Sequence, residues 1–600
     1  MKILDIYEHD LHLKANKNFN LVWTCRVKIK TKTSISIFDL IERYEKSLKL
    51  DLNNHLKDFF NLNKKYFSPF YNLKSDFSFL VLSNFVEKNP YKKNFNLNLI
   101  KCLALKAFLK SKKFDKINIH SDDNNFRNNI YQAINKKTQS ENSFVLIKNY
   151  FKFFKSYIIN LIRLLFFIIN NINFKKKNNY KINSNPIFFS FFSYTNKQKA
   201  KKGIYQSDYW QGFTRTDDKN WVHLFDPTSD YPDSKTSSVL VNKLNIDKKK
   251  PNHFFIDDYI NIKIFFKTLI FFSKLFFFTS RIFFSTKFLK ILKRNLNLSN
   301  KTSYLFFEEF VSFNTVRNIL FFFQFENFFL NHKIDSNVFF SFENQPWEKV
   351  LLYLLNKNKF KKKSYGVIHS SIRFWDFRFI NFVNYKKTIL GYFNPDKILS
   401  NSSFVKKILL GNGFSKDQIL EVETLRYINL KKIKKKLIHT KRKKLNILFL
   451  TDYDDHINNS LIQFIESLES SKNYSLFLKC HPLKPIKLFK KNIKIISSIE
   501  NVKNIDLVIA GNKTSASLDF YYKNINLMIF LQEDELDYSP LYKFINYSTF
   551  SGIDDFLYKL NMHYLQFKYN DYSNSSVINN NKSYFISDKN LPRWKKIINL

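Results

Sequence analysis

Between residues 445 and 531 the sequence alternates between short apolar runs and helical or polar stretches. The apolar runs read NILFL, YSLFLKC, IKIIS, DLVIA and LMIFL, and they are separated by segments such as INNSLIQFIESLESS and SASLDFYYK. This alternation is typical of strands that alternate with helices in a parallel sheet. We therefore expect an α/β domain over residues 445–600.

Two loops of this domain follow predicted strands. One is Cys480-His481-Pro482, and the other is Gly511-Asn512-Lys513-Thr514-Ser515. Ligands of open parallel sheets bind beyond the carboxyl ends of the strands, so we expect both loops at one crevice.

The residue types in these loops suit an oxyanion such as a phosphate. A helix that starts near Thr514 would point its free backbone N–H groups at the crevice, and the hydroxyls of Ser515 and Ser517 could add donors. His481 could supply a further donor in a suitable protonation state. The alternatives stay open, because Thr514 and Ser515 are also ordinary N-cap residues and a His-Pro pair is often a plain turn.

The large net charge of the chain is only weak evidence for an anionic partner. A net charge of +48 over 600 residues would ordinarily indicate an anionic partner. The sequence is rich in Phe, Lys, Asn, Ile and Tyr and has only 8 Gly and 12 Pro, which is the composition that an adenine- and thymine-biased genome encodes. No nucleic-acid-binding motif is visible in the sequence, so we expect no specific nucleic-acid partner.

The cysteines and the first residues favour a cytoplasmic location. Cys25, Cys102 and Cys480 are far apart and odd in number, which predicts neither a disulfide framework nor a metal site. The opening MKILDIYEHDLHLK reaches acidic residues and His before any long apolar run, unlike a signal peptide.

Two predicted helices are aromatic and basic. In one, Lys148, Lys152, Lys155 and Arg163 fall in one sector, and in the other Lys263, Lys267, Lys274 and Arg281 share one face. Such helices could lie on an anionic membrane surface, peripheral on the inner face of the cytoplasmic membrane, or they could pack on the core. The central charges disfavour a membrane-spanning pair.

Predicted strands in the middle of the chain include SYLFFEEF, NVFFSFEN and SYGVIHSS. NVFFSFEN delivers Glu343 at its end, before a helix that Pro346 is expected to begin. SYGVIHSS delivers His369, and Arg373 follows. Each of these strand ends is expected to face a cleft.

These patterns predict the following division of the chain. The cation-dense KKIKKKLIHTKRKK is the expected linker between two α/β domains. The predicted units are an α/β segment (1–140), an amphipathic basic helix (141–184), an α/β domain with a helical insertion at about 255–295 (185–430), the linker (431–444) and the C-terminal domain (445–600).

The combination resembles a GT-B glycosyltransferase. The His481-Pro482 loop and the Thr514 to Ser517 segment are similar to the HP and serine motifs of bacterial sialyltransferases, polysialyltransferases and CDP-glycerol glycerophosphotransferases. The segments ENQPWEK, YGVIHSSIRFWDFR, PDKILSN and VETLRYINL, taken with these motifs, resemble a bacterial family of surface-carbohydrate biosynthesis proteins. The resemblance covers roughly residues 185–542.

The resemblance implies a fold and a reaction. The fold is α/β and GT-B-like: two Rossmann-like domains face a cleft, with basic amphipathic helical insertions in the N-terminal half. The reaction is transfer of a sugar or polyol phosphate from a nucleotide donor, cytidine-linked in the similar families, to a glycan or lipid-linked acceptor. A non-catalytic GT-B-like carbohydrate-binding or assembly protein at the membrane is the alternative.

Residue roles follow from the resemblance and from the predicted strand ends. Donor phosphate is expected at His481, Thr514, Ser515 and Ser517. The expected base for the acceptor hydroxyl is Glu343 or His369, since both stand at strand ends that face the donor domain. The alternatives are a capping role for Glu343 and a structural hydrogen-bonding role for His369.

The remaining expectations concern the acceptor, a metal and the acidic residues. Acceptor binding is expected at Trp347 and Arg373, although Arg373 could instead pair with Asp376. No metal site and no cofactor are expected, because no Asp-x-Asp motif stands out. The acidic sialyltransferase motif is not recognisable, and Asp454 and Asp455 are expected to cap a helix.

Overall fold

A computed structural model gives the fold of the chain. It describes residues 2–10, 18–27, 33–62, 79–83, 94–134, 143–171, 182–213, 218–228, 230–246, 252–296, 300–381, 394–430, 444–468, 471–481, 486, 493–496, 505–569 and 583–598. The predicted linker 431–444 lies outside these residues except for its last position.

The described chain contains three parallel sheets. Each sheet is formed by strands from one separate stretch of the sequence. The first sheet contains β1 (Ile3–Tyr7), β2 (Phe19–Val22), β3 (Ser34–Ser36) and β4 (Lys116–His120). The second contains β5 (Ile187–Phe191), β6 (Asn220–Leu224), β7 (His253–Phe255), β8 (Val338–Ser341), β9 (Ser364–Val367), β10 (Lys397–Ser400) and β11 (Ile419–Glu421). The third contains β12 (Leu445–Leu450), β13 (Tyr474–Lys479), β14 (Ile493–Ile495), β15 (Leu507–Gly511), β16 (Asn526–Phe530) and β17 (Ser548–Phe550).

Seventeen α-helices are defined within the described residues. The N-terminal part has α1 (Ile37–Arg43), α2 (Glu45–Leu62), α3 (Asn94–Ser111), α4 (Asn124–Ala133) and α5 (Ser143–Asn171). The middle has α6 (Lys197–Lys201), α7 (Ser234–Lys243), α8 (Ile262–Phe283), α9 (Thr286–Leu296), α10 (Asn300–Val311), α11 (Phe313–Asn331), α12 (Pro346–Lys357) and α13 (Ser403–Gly411). The last third has α14 (Asp455–Ser467), α15 (Ser517–Tyr522), α16 (Ile553–Lys568) and α17 (Pro592–Ile598).

The strand orders of the two larger sheets are those of Rossmann-like domains. The second sheet runs β11-β10-β9-β8-β5-β6-β7 and the third runs β14-β13-β12-β15-β16-β17, with all neighbours parallel. When the strands of each sheet are numbered from its own first strand, the third sheet has the order 3-2-1-4-5-6, and the second has the same order with a seventh strand added at the end. The direction of winding reverses beside the first strand in both sheets. Two such domains facing one cleft confirm the expected α/β, GT-B-like architecture.

The strands form where the sequence places short apolar runs, because both faces of the sheets are covered. In the second sheet Phe188 and Phe339 stack at 4.8 Å on one face, while Phe189 and Phe340 are buried on the other. Strands buried on both faces read as continuous apolar runs rather than as alternating ones.

One predicted strand is wrong. SYLFFEEF lies in α10, where Phe306, Phe307, Phe310 and Val311 are buried. Their spacing places them on one helical face, which packs along α5. A short apolar run does not distinguish a strand from a buried helix segment.

The C-terminal helix α17 crosses back to the second sheet. Trp594 is fully buried there, its ring 5.0 Å from that of Phe213, and its indole N–H donates to the carbonyl of Glu423 at 2.8 Å. The last residues of the predicted 445–600 unit therefore contribute to the core of the other domain.

The N-terminal unit, residues 2–134, contacts both Rossmann-like domains. Arg26 donates its backbone N–H to the carbonyl of Glu533 at 2.8 Å on the C-terminal side. The Lys49 ammonium lies 3.4 Å from the centre of the Phe374 ring on the other side. Burial lowers the pKa of Lys49 to about 7. The N-terminal unit thereby connects the two sides of the cleft.

No helix among the described residues combines the length and the apolarity needed to cross a membrane.

Candidate functional site

A cleft of about 990 Å³ opens between the two Rossmann-like domains. The C-terminal domain supplies the residues that follow β12, β13 and β15. The second sheet supplies Arg373, after β9, and Arg426 and Tyr427, after β11. The site therefore lies at the carboxyl ends of parallel strands, where ligands of such sheets bind.

The two loops singled out in the sequence meet in this cleft. His481, Thr514 and Ser515 all line it. Ser371 and Arg373, from the strand end opposite, approach the same loop, with the Ser371 and Ser515 hydroxyls 3.5 Å apart. The structure thus brings together four of the eight predicted site residues in the cleft wall: His481, Thr514, Ser515 and Arg373.

Ser517 faces the other way. It is fully buried, and its hydroxyl donates to the carbonyl of Thr514 at 3.1 Å. The helix expected near Thr514 begins at Ser517, because turns occupy the preceding residues and Thr514 Oγ1 accepts the N–H of Ala516 at 3.3 Å. Phosphate binding by Ser517 stays a prediction, and its placement does not favour it.

His481 stands at the mouth of the cleft. Its backbone N–H donates to Thr451 Oγ1 at 2.7 Å, and its ring lies 5.9 Å from that of Tyr453. Burial lowers the pKa of His481, against the opposing effect of the Asp452 carboxylate. The imidazole is therefore neutral at pH 7, and an anion placed beside it would raise its pKa again.

Arg373 joins the two walls of the cleft. Its guanidinium donates to the carbonyl of Lys513 and, at 3.3 Å, to Ser515 Oγ. The alternative pairing with Asp376 is not formed, because Asp376 binds Arg378 at 2.7 Å. Arg373 therefore holds the Ser515 loop in place as well as lining the cleft.

Two carboxylates of the C-terminal domain balance the positive charge of Lys513. Its ammonium lies 2.7 Å from Asp454 Oδ2 and 2.5 Å from Glu535 Oε1. Asp454 is also the N-cap of α14, accepting the N–H of His456 at 3.0 Å, as the sequence predicts. Burial tends to raise the pKa of Asp454, but the Lys513 contact outweighs it and the pKa lies below its usual value.

Arg426 lines the cleft but is not among the predicted site residues, and the same is true of Lys479. Its guanidinium lies 4.6 Å from the ring centre of Tyr209 and 5.3 Å from that of Tyr427. Its side chain makes no hydrogen bond and no ion pair within the described part of the chain, and the same holds for the Lys479 side chain on the opposite wall. The Asp519 carboxylate, which also lines the cleft, acts electrostatically on both cations. The VETLRYINL segment carries Arg426 without any periodicity that marks a site.

Glu343, which is half-buried, and His369, which is buried, form a cluster beside the cleft. Glu343 Oε1 lies 3.3 Å from His369 Nε2, and Glu343 Oε2 lies 3.2 Å from Arg378 Nη1. The His369 ring is 4.6 Å from Tyr209, the same ring that supports Arg426. The two base candidates are thus one aromatic ring away from the cleft and do not line it directly.

The loop that carries Glu343 is held by a different carboxylate. Glu348 is fully buried and accepts the backbone N–H groups of Glu343 and Asn344 at 2.8 and 2.9 Å. Pro346 begins the helix as predicted, and Gln345 is its N-cap. Glu343 does not cap this helix, because its side chain accepts from Gln345 Nε2 and the charged neighbours.

Trp347 points into the core. Only 2% of it is exposed, its indole N–H donates to Gln345 Oε1 at 2.9 Å, and its ring meets Phe191 and Phe340 edge-on. Acceptor binding by this ring stays a prediction that its burial does not favour.

Within the described ranges, no three His, Cys, Asp or Glu side chains are grouped so that they could hold a metal ion.

Comparisons with known proteins return structures but no sequence family. No protein-family model matches the sequence, and no curated protein sequence matches it. The chain is similar in structure to the apo form of the lipopolysaccharide outer core galactosyltransferase WaaB, at 12% identity and a TM-score of 0.32 over 64% of this chain and 90% of that one. It is similar to Anabaena Alr3699/HepE in complex with UDP and glucose, at 9% identity and a TM-score of 0.32 over 66% and 93% of the two chains. A glycosyltransferase from Rickettsia africae ESF-5 matches at 12% identity and a TM-score of 0.32 over 70% and 98%.

Proposed function

We propose that this protein is a glycosyltransferase-like enzyme that transfers a sugar or polyol phosphate from a cytidine-linked nucleotide donor to a glycan or lipid-linked acceptor. The observation that carries the proposal is the cleft between the two Rossmann-like domains. The side chains of Arg426 and Lys479 line it without a hydrogen bond or ion pair to the described chain, and His481 and Ser515 stand in its wall.

The cationic groups suit the leaving nucleotide phosphate. Sugar transfer leaves negative charge on that phosphate, and preorganised donors in a partly dry site stabilise it. The Arg426 guanidinium is fixed between two aromatic rings, so little side-chain freedom is lost when it binds an anion. His481 and the Ser515 hydroxyl supply further donors on the opposite side.

The acceptor hydroxyl needs a base. Glu343 and His369 are 3.3 Å apart, so His369 can take the proton while the Glu343 carboxylate stabilises the imidazolium, or Glu343 can take the proton and become neutral. Arg378 Nη1 lies 3.2 Å from Glu343 Oε2 and holds the carboxyl group in position. Tyr209 separates this pair from Arg426, so acceptor and donor would approach from the two sides of that ring.

Bacterial surface-polysaccharide biosynthesis is the setting we propose. An acceptor of this kind, glycan or lipid-linked, would be met in the cytoplasm at the inner face of the cytoplasmic membrane. The protein would be peripheral there, through the helices that carry Lys148–Arg163 and Lys263–Arg281.

Nucleotide binding tests the proposal. Thermal shift and calorimetry with CMP, CDP, UDP and GDP should show the strongest binding with a cytidine nucleotide. His481→Ala and Ser515→Ala should weaken that binding, while Ser460→Ala, a half-buried serine on α14 outside the cleft lining, should leave it unchanged. Binding that is equal in all three variants would remove the phosphate-site assignment.

A non-catalytic GT-B-like carbohydrate-binding or assembly protein is the second candidate. The observation that favours it is the engagement of Glu343 with His369, Arg378 and Gln345. The two candidates differ in turnover: the enzyme releases nucleotide from a donor in the presence of acceptor, whereas the assembly protein binds carbohydrate without releasing nucleotide.

A further inference from the structure

Helices α5 and α8 pack side by side in opposite directions. Tyr150, near the start of α5, lies 4.5 Å from Phe284 at the end of α8, and Tyr157, further along α5, stacks on Phe276 at 4.0 Å. The Tyr157 hydroxyl also meets Ser273 Oγ at 3.0 Å. These rings form the seam between the two helices.

Helix α5 has two apolar stripes, of which only one is covered. The covered stripe contains Phe153, Tyr157, Leu164 and Ile168. The second occupies an arc of about 80° at 100° per residue, and its exposed members are Ile147, Phe151, Phe154, Ile162, Leu165 and Ile169. Beyond this arc, on the edge far from α8, come the four exposed cations Lys148, Lys152, Lys155 and Arg163.

Helix α8 repeats the arrangement. Its buried stripe includes Phe272, Leu275 and Phe276. An exposed apolar stripe again spans about 80°, with Ile262, Phe266, Ile270, Phe277 and Phe284 as its members. The four exposed cations on the edge far from α5 are Lys263, Lys267, Lys274 and Arg281.

The two exposed stripes lie on one surface. On each helix the stripe is centred about 90° from the seam, measured in the direction of increasing residue number. Because the helices are antiparallel, these two rotations point to the same side. The result is an apolar strip along the seam with a row of cations along each outer edge, which we call the α5/α8 face.

An exposed apolar surface of this extent marks an interaction site. Soluble monomers rarely expose large contiguous apolar patches, and those they do expose are commonly functional. Phe151, Ile169 and Phe277 are 65%, 74% and 68% exposed. Nothing in the described chain covers them.

We propose that the α5/α8 face docks on an anionic lipid bilayer, with the apolar strip among the acyl chains and the two rows of cations at the phosphate headgroups. This deepens the membrane part of the proposed function, because it names the surface and the mode of binding. Helices that lie in the interface plane have this division, an apolar face below and cations beside it.

The cations beside the apolar strip favour an anionic bilayer over the two other possible occupants, which are a second copy of the face and a segment of the same chain. A second copy of the same face would bring two sets of eight cations together across a two-fold axis, and like charges repel. The chain's own segments 172–181 and 431–443 read INFKKKNNYK and KKIKKKLIHTKRK, which are basic as well. An anionic bilayer supplies both the apolar interior and the opposite charge.

Vesicle flotation of the full chain tests the proposal. Vesicles of one part phosphatidylglycerol to two parts phosphatidylcholine should bind the protein, and phosphatidylcholine alone should bind it at least about tenfold less. Phe151→Ser with Phe277→Ser should lose about tenfold or more on the anionic vesicles. The exposed residues Leu330→Ser with Tyr558→Ser are the matched control and should bind normally.

The cation rows are tested separately. Neutralising Lys148, Lys152, Lys263 and Lys274 with Gln should abolish the preference for phosphatidylglycerol, whereas the same change at the exposed Lys235, Lys416, Lys494 and Lys589 should leave most of it. Equal losses in both sets would show a general charge effect and overturn the assignment to this face.

Insertion has its own readout. Phe266→Trp, within the exposed stripe of α8, should blue-shift its fluorescence with anionic vesicles, and Tyr558→Trp should not. A blue shift already present without vesicles would mean that another part of the chain covers the face. A concentration-dependent dimer that Phe151→Ser breaks would mean a second copy. Either result overturns the proposal, while nucleotide binding by the same variants tests the glycosyltransferase function independently.

Discussion

The cleft and the carboxylate cluster beside it differ in how their polar groups are satisfied. In the cleft, the side chains of Arg426 and Lys479 have no hydrogen-bond or ion-pair partner in the described chain, and only the more distant Asp519 carboxylate acts on both. In the cluster, Glu343 is bound to His369, Arg378 and Gln345. The polar side chains of the cluster are therefore paired within the protein, whereas two cations of the cleft are available to a ligand.

From this difference we expect the cleft to determine nucleotide binding and the cluster to determine the rate of transfer. Unpaired cations at a partly buried wall favour an anion, because their desolvation is already partly incurred and an anion compensates it. The Glu343 carboxylate is already paired and therefore held in position, so it can act as a base only when an acceptor hydroxyl comes into contact with it. Changes in the cleft should therefore alter nucleotide affinity, and changes in the cluster should alter turnover.

The largest effect is expected in the cluster. Glu343→Gln and His369→Ala should each lower transfer by about 10²- to 10⁴-fold while nucleotide affinity stays within about twofold, because a base acts in the transition state and not in donor binding. Single-turnover release of the nucleotide, with calorimetry alongside, measures both quantities. Glu326→Gln, on a surface ion pair with Lys357, is the control. Full transfer in both cluster variants would exclude both base candidates.

Arg426→Gln should have the next largest effect, on affinity. Loss of a charge-assisted hydrogen bond of about 1.5–3 kcal/mol weakens binding by about 10- to 150-fold. Calorimetric titration with the cytidine nucleotide measures it, and the exposed Arg43→Gln is the control. Arg426→Lys should recover only part of the affinity, since Lys lacks the planar fork that stacks on Tyr209. An unchanged affinity in Arg426→Gln would place the anion elsewhere in the cleft.

A smaller effect is expected from pH. The pKa of His481 is lowered by burial in the free protein, and a bound phosphate raises it. Bound protein therefore holds more protons than free protein, so affinity should rise as the pH falls between the pKa of the complex and that of the free site, by at most about tenfold per pH unit. His481→Asn should lose this component, which the difference between the two pH titrations isolates from titration of the nucleotide itself. Identical pH profiles would show that His481 does not face the phosphate.

The smallest effect separates two neighbouring hydroxyls. Ser515→Ala should weaken nucleotide binding by about 2- to 12-fold, the equivalent of one neutral hydrogen bond. Ser517→Ala should leave affinity unchanged and lower the free energy of unfolding by about 1 kcal/mol, because its hydroxyl bonds the Thr514 carbonyl inside the core. Denaturant unfolding and calorimetry on both variants make the comparison. A loss of affinity in Ser517→Ala alone would reverse the assignment.

Much of the cleft could be predicted from the sequence because strand ends are local features. The loops at His481, Ser515 and Arg373 follow apolar runs, and parallel strands bring their carboxyl ends to one edge. SYLFFEEF failed for the opposite reason. Its apolar residues suit a strand or a buried helix equally, and only packing against α5 decides between them.

Arg426 and Trp347 show two ways in which the sequence does not determine the position of a side chain. Arg426 has no local signal, since its role depends on Tyr209, which lies over two hundred residues earlier in the chain. Trp347 has a conspicuous signal at a strand end, yet its ring packs into the core against Phe191. Which way a side chain turns from a loop is set by contacts distant in sequence.

The sequence by itself determined the alternation of strands and helices, the parallel sheets and the loops at their carboxyl ends, because hydrophobic period and loop residues are properties of neighbouring positions. Only the tertiary structure decided that Ser515 faces the cleft and Ser517 the core, and that Arg426 lines the cleft. It also decided that α5 and α8 each bury one apolar stripe and expose another. These outcomes depend on which surfaces the folded chain covers, and burial is a property of the whole chain.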